Sequence, residues 1–420
     1  MTSRKLLNDC FLTDKDRLSH EECLAILTGR LSAVAAIEEL PLVETSGRWL
    51  AADIVAPRNV PLHDNSAVDG YAFQAPATGP MPVVMRIAAG DLGKYRLEPG
   101  QAARIFTGAP MPEGADTVAM QEDCTVDDDG DHVSVPLDLK RGANARRAGE
   151  DVAEGSAVLQ ESARLRPQDM AALASFGLPK VKVRAPVRVA ILSNGDELLE
   201  PGAEISQGQV YDSNRAMLHA LLGTLPCEIT DLGILPDDAS LIEATLAKTA
   251  QTHDVILTSG GASRGDEDHI INAIDRLGTR HLWQIAVKPG RPMSFGQIGD
   301  CVFLGLPGNP VAAFVCFLLY VRPALTVLGG GAYHEPVRFP VAAGFDVPRK
   351  KEGRREFWRG WLEPGPDGRP VAHKFARDGS GLISGLRQAT GLIEITESVT
   401  SVAKGELVSF LPFTGFGIDS

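Results

Sequence analysis

The residues best suited to chemistry gather in one loop, Ser259-Gly260-Gly261-Ala262-Ser263-Arg264-Gly265-Asp266-Glu267-Asp268, which follows an apolar run and opens a helical pattern. Glycines let backbone N–H groups close on an anion, and a helix start favours negative charge. The three acids at its end suit a divalent cation bridging to phosphate, although acids are also ordinary first-turn helix residues. Leu306-Pro307-Gly308-Asn309-Pro310 offers a second helix start for an anion, or a plain helix-entry turn. Lys288-Pro289-Gly290-Arg291-Pro292 puts two cations on a proline-stiffened loop, which suits an oxyanion or phosphate, with a solvated turn as the alternative. Ser193-Asn194-Gly195-Asp196-Glu197 adds paired carboxylates of the kind magnesium prefers.

Earlier in the chain, Asp64-Asn65-Ser66-Ala67-Val68-Asp69-Gly70-Tyr71-Ala72 is dense in polar groups that either act on a ligand or cap turns. Arg104-Ile105-Phe106-Thr107-Gly108 sets a hydroxyl beside a glycine, and Arg141, Arg146 and Arg147 precede Gly149-Glu150-Asp151. Two patterns mislead. Asp127-Asp128-Asp129-Gly130-Asp131 looks calcium-like, but Thr125 and Pro136 stand where a calcium loop needs Asp and Glu, so a hairpin tip is expected. Gly261-x-Ser263-x-Gly265 matches a hydrolase nucleophile elbow, yet four residues separate Ser263 from Thr258, too many for a Ser placed directly off the strand. Walker A, GxGxxG and HExxH spacings are absent.

The elements that must carry these loops alternate from about Pro186 onward. Apolar runs at 187–192, 227–232, 254–258 and 282–287 are separated by helical patterns over 214–222, 240–249 and 268–277, and a last helix covers 311–328 after Asn309 (N-cap) and Pro310 (N1). Such alternation predicts a central three-layer α/β domain with a mainly parallel sheet, whose ligands bind at the carboxyl ends of the strands. The first ~165 residues are broken by Pro and Gly and predict an irregular, β-rich region, preceded by a helix starting at Ser19, where Ser19-x-x-Glu22 has the form of a capping box. Gly329-Gly330-Gly331 marks a linker to a small C-terminal β-barrel-like domain. The expected divisions are 1–186, with a β-rich lobe at about 57–150, then 187–329 and 337–413.

With 420 residues, 44% hydrophobic and 23% charged, the chain has material for several cores. Its 41 Lys and Arg against 54 Asp and Glu give a net charge of −13, which argues against general nucleic-acid or membrane-surface binding. The apolar stretch 311–321 is too short to cross a bilayer, the N-terminus lacks a signal-peptide core, and six scattered Cys form no CxxC. A cytoplasmic protein is expected.

In their order, DNSAVDGYAF, RIFTGAPMPEGADTVAMQED, GEDV, SNGDEL, GQVYDSNR, ILPDD, TSGGASRGDEDH, VKPGRPMSFG and LPGNP resemble the molybdopterin molybdenumtransferase (MoeA) family, which is related to the C-terminal region of gephyrin. The resemblance covers nearly the whole chain. It implies insertion of molybdenum from molybdate into adenylylated molybdopterin with release of AMP, assisted by Mg2+. By the same carry-over, Asp69, Thr107, Asp151, Glu197, Asp237 and Asp268 are the catalytic positions, with Glu197, Asp237 and Asp268 as metal ligands. Arg146, Gly260, Gly261, Ser263, Lys288, Arg291, Pro307 and Pro310 bind substrate, and Arg354 and Ser380 complete the site from the C-terminal domain. The family implies a homodimer in which the lobe of one subunit faces the α/β domain of the other, and leaves room for a molybdopterin adenylyltransferase and molybdoenzyme maturation factors as partners. Two departures stand out: Trp283-Gln284 lacks a Lys many members carry, and Arg264 replaces a small apolar residue and is expected to supply the missing charge. Alternative readings are a molybdopterin adenylyltransferase, which needs neither the lobe nor the terminal β domain, and a non-catalytic gephyrin-like scaffold.

Overall fold

The apolar run after Pro186 forms the strand Val187–Asn194, and its two faces enter different cores. Val187, Val189 and Ile191 join one cluster, Ala190 and Leu192 the other, as period-two geometry requires of a strand covered on both sides. In this computed structural model, which describes residues 6–7, 9–15, 17–91, 93–260 and 269–418, the strand belongs to a six-stranded sheet. Across it lie Cys227–Leu235, Val187–Asn194, Val255–Ser259, Cys301–Leu306, Pro292–Ile298 and Thr279–Gln284. The first four are parallel, and the last two form an antiparallel edge. Helices Ser213–Leu222 and Pro310–Leu328 cover one face, Ala239–Thr252 and His269–Leu277 the other. From Val187–Asn194 the chain moves out to Cys227–Leu235 and then back across to Val255–Ser259. The order therefore reverses between the carboxyl ends of Val187–Asn194 and Val255–Ser259, where such sheets open a crevice.

The last helix starts as expected, with Asn309 as N-cap and Pro310 in its first turn, and passes through a π turn at Phe317–Val321. By length and composition this 19-residue helix could cross a membrane, but 89% of its most apolar stretch is buried inside the protein, so it is a core helix. The helix His20–Arg30 has the capping box read from Ser19 and Glu22, and His20 Nδ1 meets Tyr320 Oη at 3.1 Å.

One strand expectation is corrected. The run 282–287 is two pieces: Thr279–Gln284 closes the sheet edge, whereas Val287–Lys288 leaves it and pairs in parallel with Arg355–Glu356. The break falls at Ile285, which bridges to Leu18 instead. That parallel pairing stitches the α/β layer to a small closed barrel. In the barrel, strand Arg355–Pro364 pairs with both Pro370–Lys374 and Gly391–Ile395, and Phe339–Ala343 and Leu407–Pro412 complete the ring. The N-terminal lobe is a separate six-stranded sheet ordered Thr117–Met120, Gly70–Phe73, Ala102–Ile105, Met81–Ile87, His132–Ser134, Thr125–Val126. The Asp-rich run 127–131 is its hairpin tip. The whole is a multidomain assembly of α/β and α+β parts, as the sequence implies.

Candidate functional site

Three parallel strands end together at the crevice. Ser193 stands opposite Ser259 in the register, and Ser259 opposite Leu306. Asn214 ties these ends together, because its Nδ2 donates to Ser259 Oγ at 2.8 Å and to the Gly308 carbonyl at 2.7 Å. Gly260 continues the edge by donating its N–H to Leu306 O at 3.0 Å. Among the described residues Asn214 Oδ1 and Ser193 Oγ are buried with no hydrogen-bond partner, a state that costs on the order of 1–3 kcal/mol per group and points to a ligand able to satisfy them.

Carboxylates stand exposed beside this edge. Asn194 Nδ2 donates to Asp237 Oδ1 at 3.2 Å, and the Asp237 N–H approaches Asp196 Oδ1 at 3.4 Å. Glu197 folds back over Gly195, whose φ of +135° favours glycine; a Cβ there would lie 2.5 Å from Glu197 Oε2. Among the described residues no three His, Cys, Asp or Glu side chains converge as a metal group. Gly261, Ser263 and Asp268, with Arg264, lie outside the described residues.

A second feature opens where the barrel meets the α/β layer. This cavity of about 240 Å³ is walled by Lys288, Pro307, Asn309, Trp358, Arg359, Lys374, Phe375, Arg377, Asp378 and Ser380, among others. Among the described residues its lining carries four cations and one carboxylate, a setting for an oxyanion inside an otherwise acidic protein. Lys288 is held by the strand pairing to Arg355–Glu356, and its Nζ lies 3.7 Å from the buried Glu356. Gly290, at φ +98°, lets this loop sit on the long helix, since a Cβ there would meet Cys316 Sγ at 2.2 Å. Arg359 is fixed by carbonyls of Leu382, Arg377 and Gly379 at 2.8, 2.7 and 3.2 Å and by Phe375, 4.8 Å away. Ser380 reaches the LPGNP turn through its carbonyl, which accepts the Val311 N–H at 3.0 Å.

In the lobe, Asp69 accepts the Thr107 N–H and hydroxyl, both at 2.7 Å. Those two bonds hold its carboxyl below the usual carboxylate range. Arg104 lies beside them, donating to Gly70 O at 2.9 Å and stacking over Phe106 and Tyr71. Arg146 is exposed on a short strand opposite Asn65, and the Asp151 N–H bonds Val60 O at 3.0 Å.

The sequence-predicted residues therefore fall into three groups. Lys288, Pro307 and Ser380 share the cationic cavity, with Pro310 at the helix start beside it. Glu197, Asp237 and Gly260 gather at the strand ends, while Asp69, Thr107, Arg146 and Asp151 belong to the lobe and bond to residues there. Arg291 is exposed beside the cavity rather than in its lining, and Arg354 stands behind the wall, bonded to Glu356 at 2.8 Å. Sequence reading missed Arg359, Lys374, Arg377 and Asp378. The basic cluster Lys374–Arg377 next to Gly379-Ser380-Gly381 was the available signal.

Comparison with known proteins agrees across all three regions. Family models described as the MoeA N-terminal region (domain I and II), the probable molybdopterin binding domain and the MoeA C-terminal region (domain IV) match residues 18–177, 190–327 and 342–413. The chain is 38% identical over 382 residues to a molybdopterin molybdenumtransferase of Haemophilus influenzae, covering 90% of this chain and 94% of the relative. It is 34% identical over 387 residues to molybdopterin molybdenumtransferase 2 of Mycobacterium tuberculosis, covering 87% and 92%. A crystal structure of a molybdopterin biosynthesis MoeA protein from Pyrococcus horikoshii OT3 superposes with a TM-score of 0.79 at 31% identity, covering 94% of this chain and 99% of that one.

Proposed function

The chain belongs to the molybdopterin molybdenumtransferase (MoeA) family and acts in molybdenum cofactor biosynthesis, and from that premise we propose how its residues divide the work. The substrates are molybdate and adenylylated molybdopterin, and AMP leaves. Molybdate and the pyrophosphate link are both anionic, so the site must hold like charges close together. Lys288, Arg359 and Lys374 take the oxyanion in the barrel-side cavity, with Ser380 as a hydroxyl donor. The crevice at Ser193, Asn214 and Ser259 takes polar groups of the pterin substrate, and the Gly260-Gly261-Ser263 loop its phosphates. Arg291 serves the anions from the rim.

Magnesium takes hard oxygen donors, and the carboxylates beside the crevice are of that kind: Glu197 and Asp237, with Asp268, would hold it. Once bound, it supplies positive charge next to the phosphate that departs. Asp69 and Thr107 approach from the lobe of a second subunit, with Arg146 and Asp151 at that lobe's far end. The protein works as a cytoplasmic homodimer, a setting that six scattered cysteines without a CxxC pair suit.

The observation that carries this reading is the cationic cavity adjoining a strand-end crevice whose buried Ser193 and Asn214 oxygens have no partner among the described residues. An adenylyltransferase is not favoured, because the family match extends over the lobe and the terminal barrel. The test is a kinetic split. Lys288→Met should raise the molybdate concentration needed for AMP release by roughly tenfold, the scale of one lost charge-assisted contact. Asp237→Asn should lower the rate at saturating molybdate instead. If both variants changed the same parameter, the division between cavity and crevice would be wrong.

A further inference from the structure

The cationic cavity contains its own anion. Asp378 Oδ1 lies 2.6 Å from Lys374 Nζ, and its Oδ2 lies 3.9 Å from Lys288 Nζ, so one carboxylate spans two of the cavity's cations. Arg377 and Arg359 complete the positive lining, and among the described residues Asp378 is the only acid in it. The side chain is 60% exposed, whereas Lys374 is 13% exposed, so the carboxylate is the partner with open space to turn into. Partial burial would raise the Asp378 carboxyl, but the Lys374 bond and the nearby Lys288 and Arg359 outweigh it and hold it below the usual range, ionised at neutral pH.

A tetrahedral dianion carrying no proton is repelled by a carboxylate held on the same lysines, because no hydrogen lies between the two anions to bridge them. Building on the oxyanion reading of this cavity, we infer that Asp378 is a resident competitor, an autoinhibitory carboxylate that occupies the Lys288–Lys374 pair and must swing out for the oxyanion to bind. Anion binding is then an exchange of counter-ions rather than entry into a bare positive hole. The exchange needs only rotation of the exposed Asp378 side chain, because the backbone on either side is held by Arg359 at the Arg377 and Gly379 carbonyls and by the Val311 N–H at Ser380.

The test is calorimetric titration of the full-length protein with molybdate, and with sulfate as a second proton-free tetrahedral dianion. Asp378→Asn keeps the shape and removes the charge, and it should tighten both anions by roughly fivefold, the upper range for a part-exposed ion pair. Asp378→Ala should do the same. Because the gain comes chiefly from freeing Lys374, the closer of the two lysines, it should shrink when Asp378→Asn is combined with Lys374→Met, relative to Lys374→Met alone. Unchanged or weaker binding in Asp378→Asn overturns the inference and makes Asp378 a support for the lysines. Lys288→Met separates the two readings. If it binds molybdate as the wild type does, the cavity is not the oxyanion site and both fall; if it binds more weakly while Asp378→Asn gains nothing, only the competitor falls.

Discussion

Asp69 and Thr107 show what a single pair of residues contributes. The hydroxyl and N–H of Thr107 both point at one carboxylate oxygen, which keeps Asp69 ionised and oriented. Thr107→Val deletes the hydroxyl bond and leaves the backbone bond, so the Asp69 carboxyl should rise part of the way toward its ordinary value of about 3.9. Carbon-detected NMR titration reads this directly, and an unmoved value would mean that the hydroxyl does not act on Asp69. The sign of the pH effect follows. A carboxyl whose value is depressed keeps its bonds above the unfolded value and loses them as pH falls through the folded one, so the pair should be intact at neutral pH and come apart only in acid. Sequence order pointed to these residues because DNSAVDGYAF and RIFTGAP are distinctive strings. Arg359 was not legible, because what makes it part of the site is a set of carbonyls on residues 377–382, a contact that depends on how the barrel strands pair.

At the scale of elements, starts and stops were legible where a local rule acts alone. The Ser19–Glu22 capping box and the Asn309-Pro310 helix entry form as read. The helix Pro167–Ser175 was missed because its N-cap is Arg166, with Asp169 reaching back to the Arg166 N–H in place of a Ser or Asp cap. The run 282–287 looked continuous because every apolar residue in it is buried or partly so, but its halves serve two different sheets, which periodicity cannot distinguish. The Lys288–Pro292 loop is the element on which the cavity depends most. Gly290→Ala would push a methyl into Cys316 at a backbone angle that L residues avoid, so it should cost about 2 kcal/mol or more of stability. It should also weaken molybdate binding at temperatures where the protein is still folded. Chemical denaturation with a parallel titration checks this, and a variant with both properties unchanged would show that the loop is not seated as described.

For the whole molecule, the lobe residues and the crevice residues make their contacts in separate parts of one chain, and the proposed dimer joins them between two chains. Mixing chains carrying Asp69→Asn with chains carrying Asp268→Asn, under conditions that allow subunit exchange, should restore about a quarter of wild-type activity. Half the dimers are then mixed, and each mixed dimer has one of its two sites free of both changes. A mixture that stays inactive despite proven exchange would place the complete site within one chain. All of this presupposes that the reaction consumes molybdate, and one measurement tests that most directly: AMP release from adenylylated molybdopterin and magnesium, followed with and without molybdate. The account predicts AMP release that rises with molybdate, saturates, and needs more molybdate in Lys288→Met. AMP release at the same rate without molybdate, or unaffected by Lys288→Met, would contradict it.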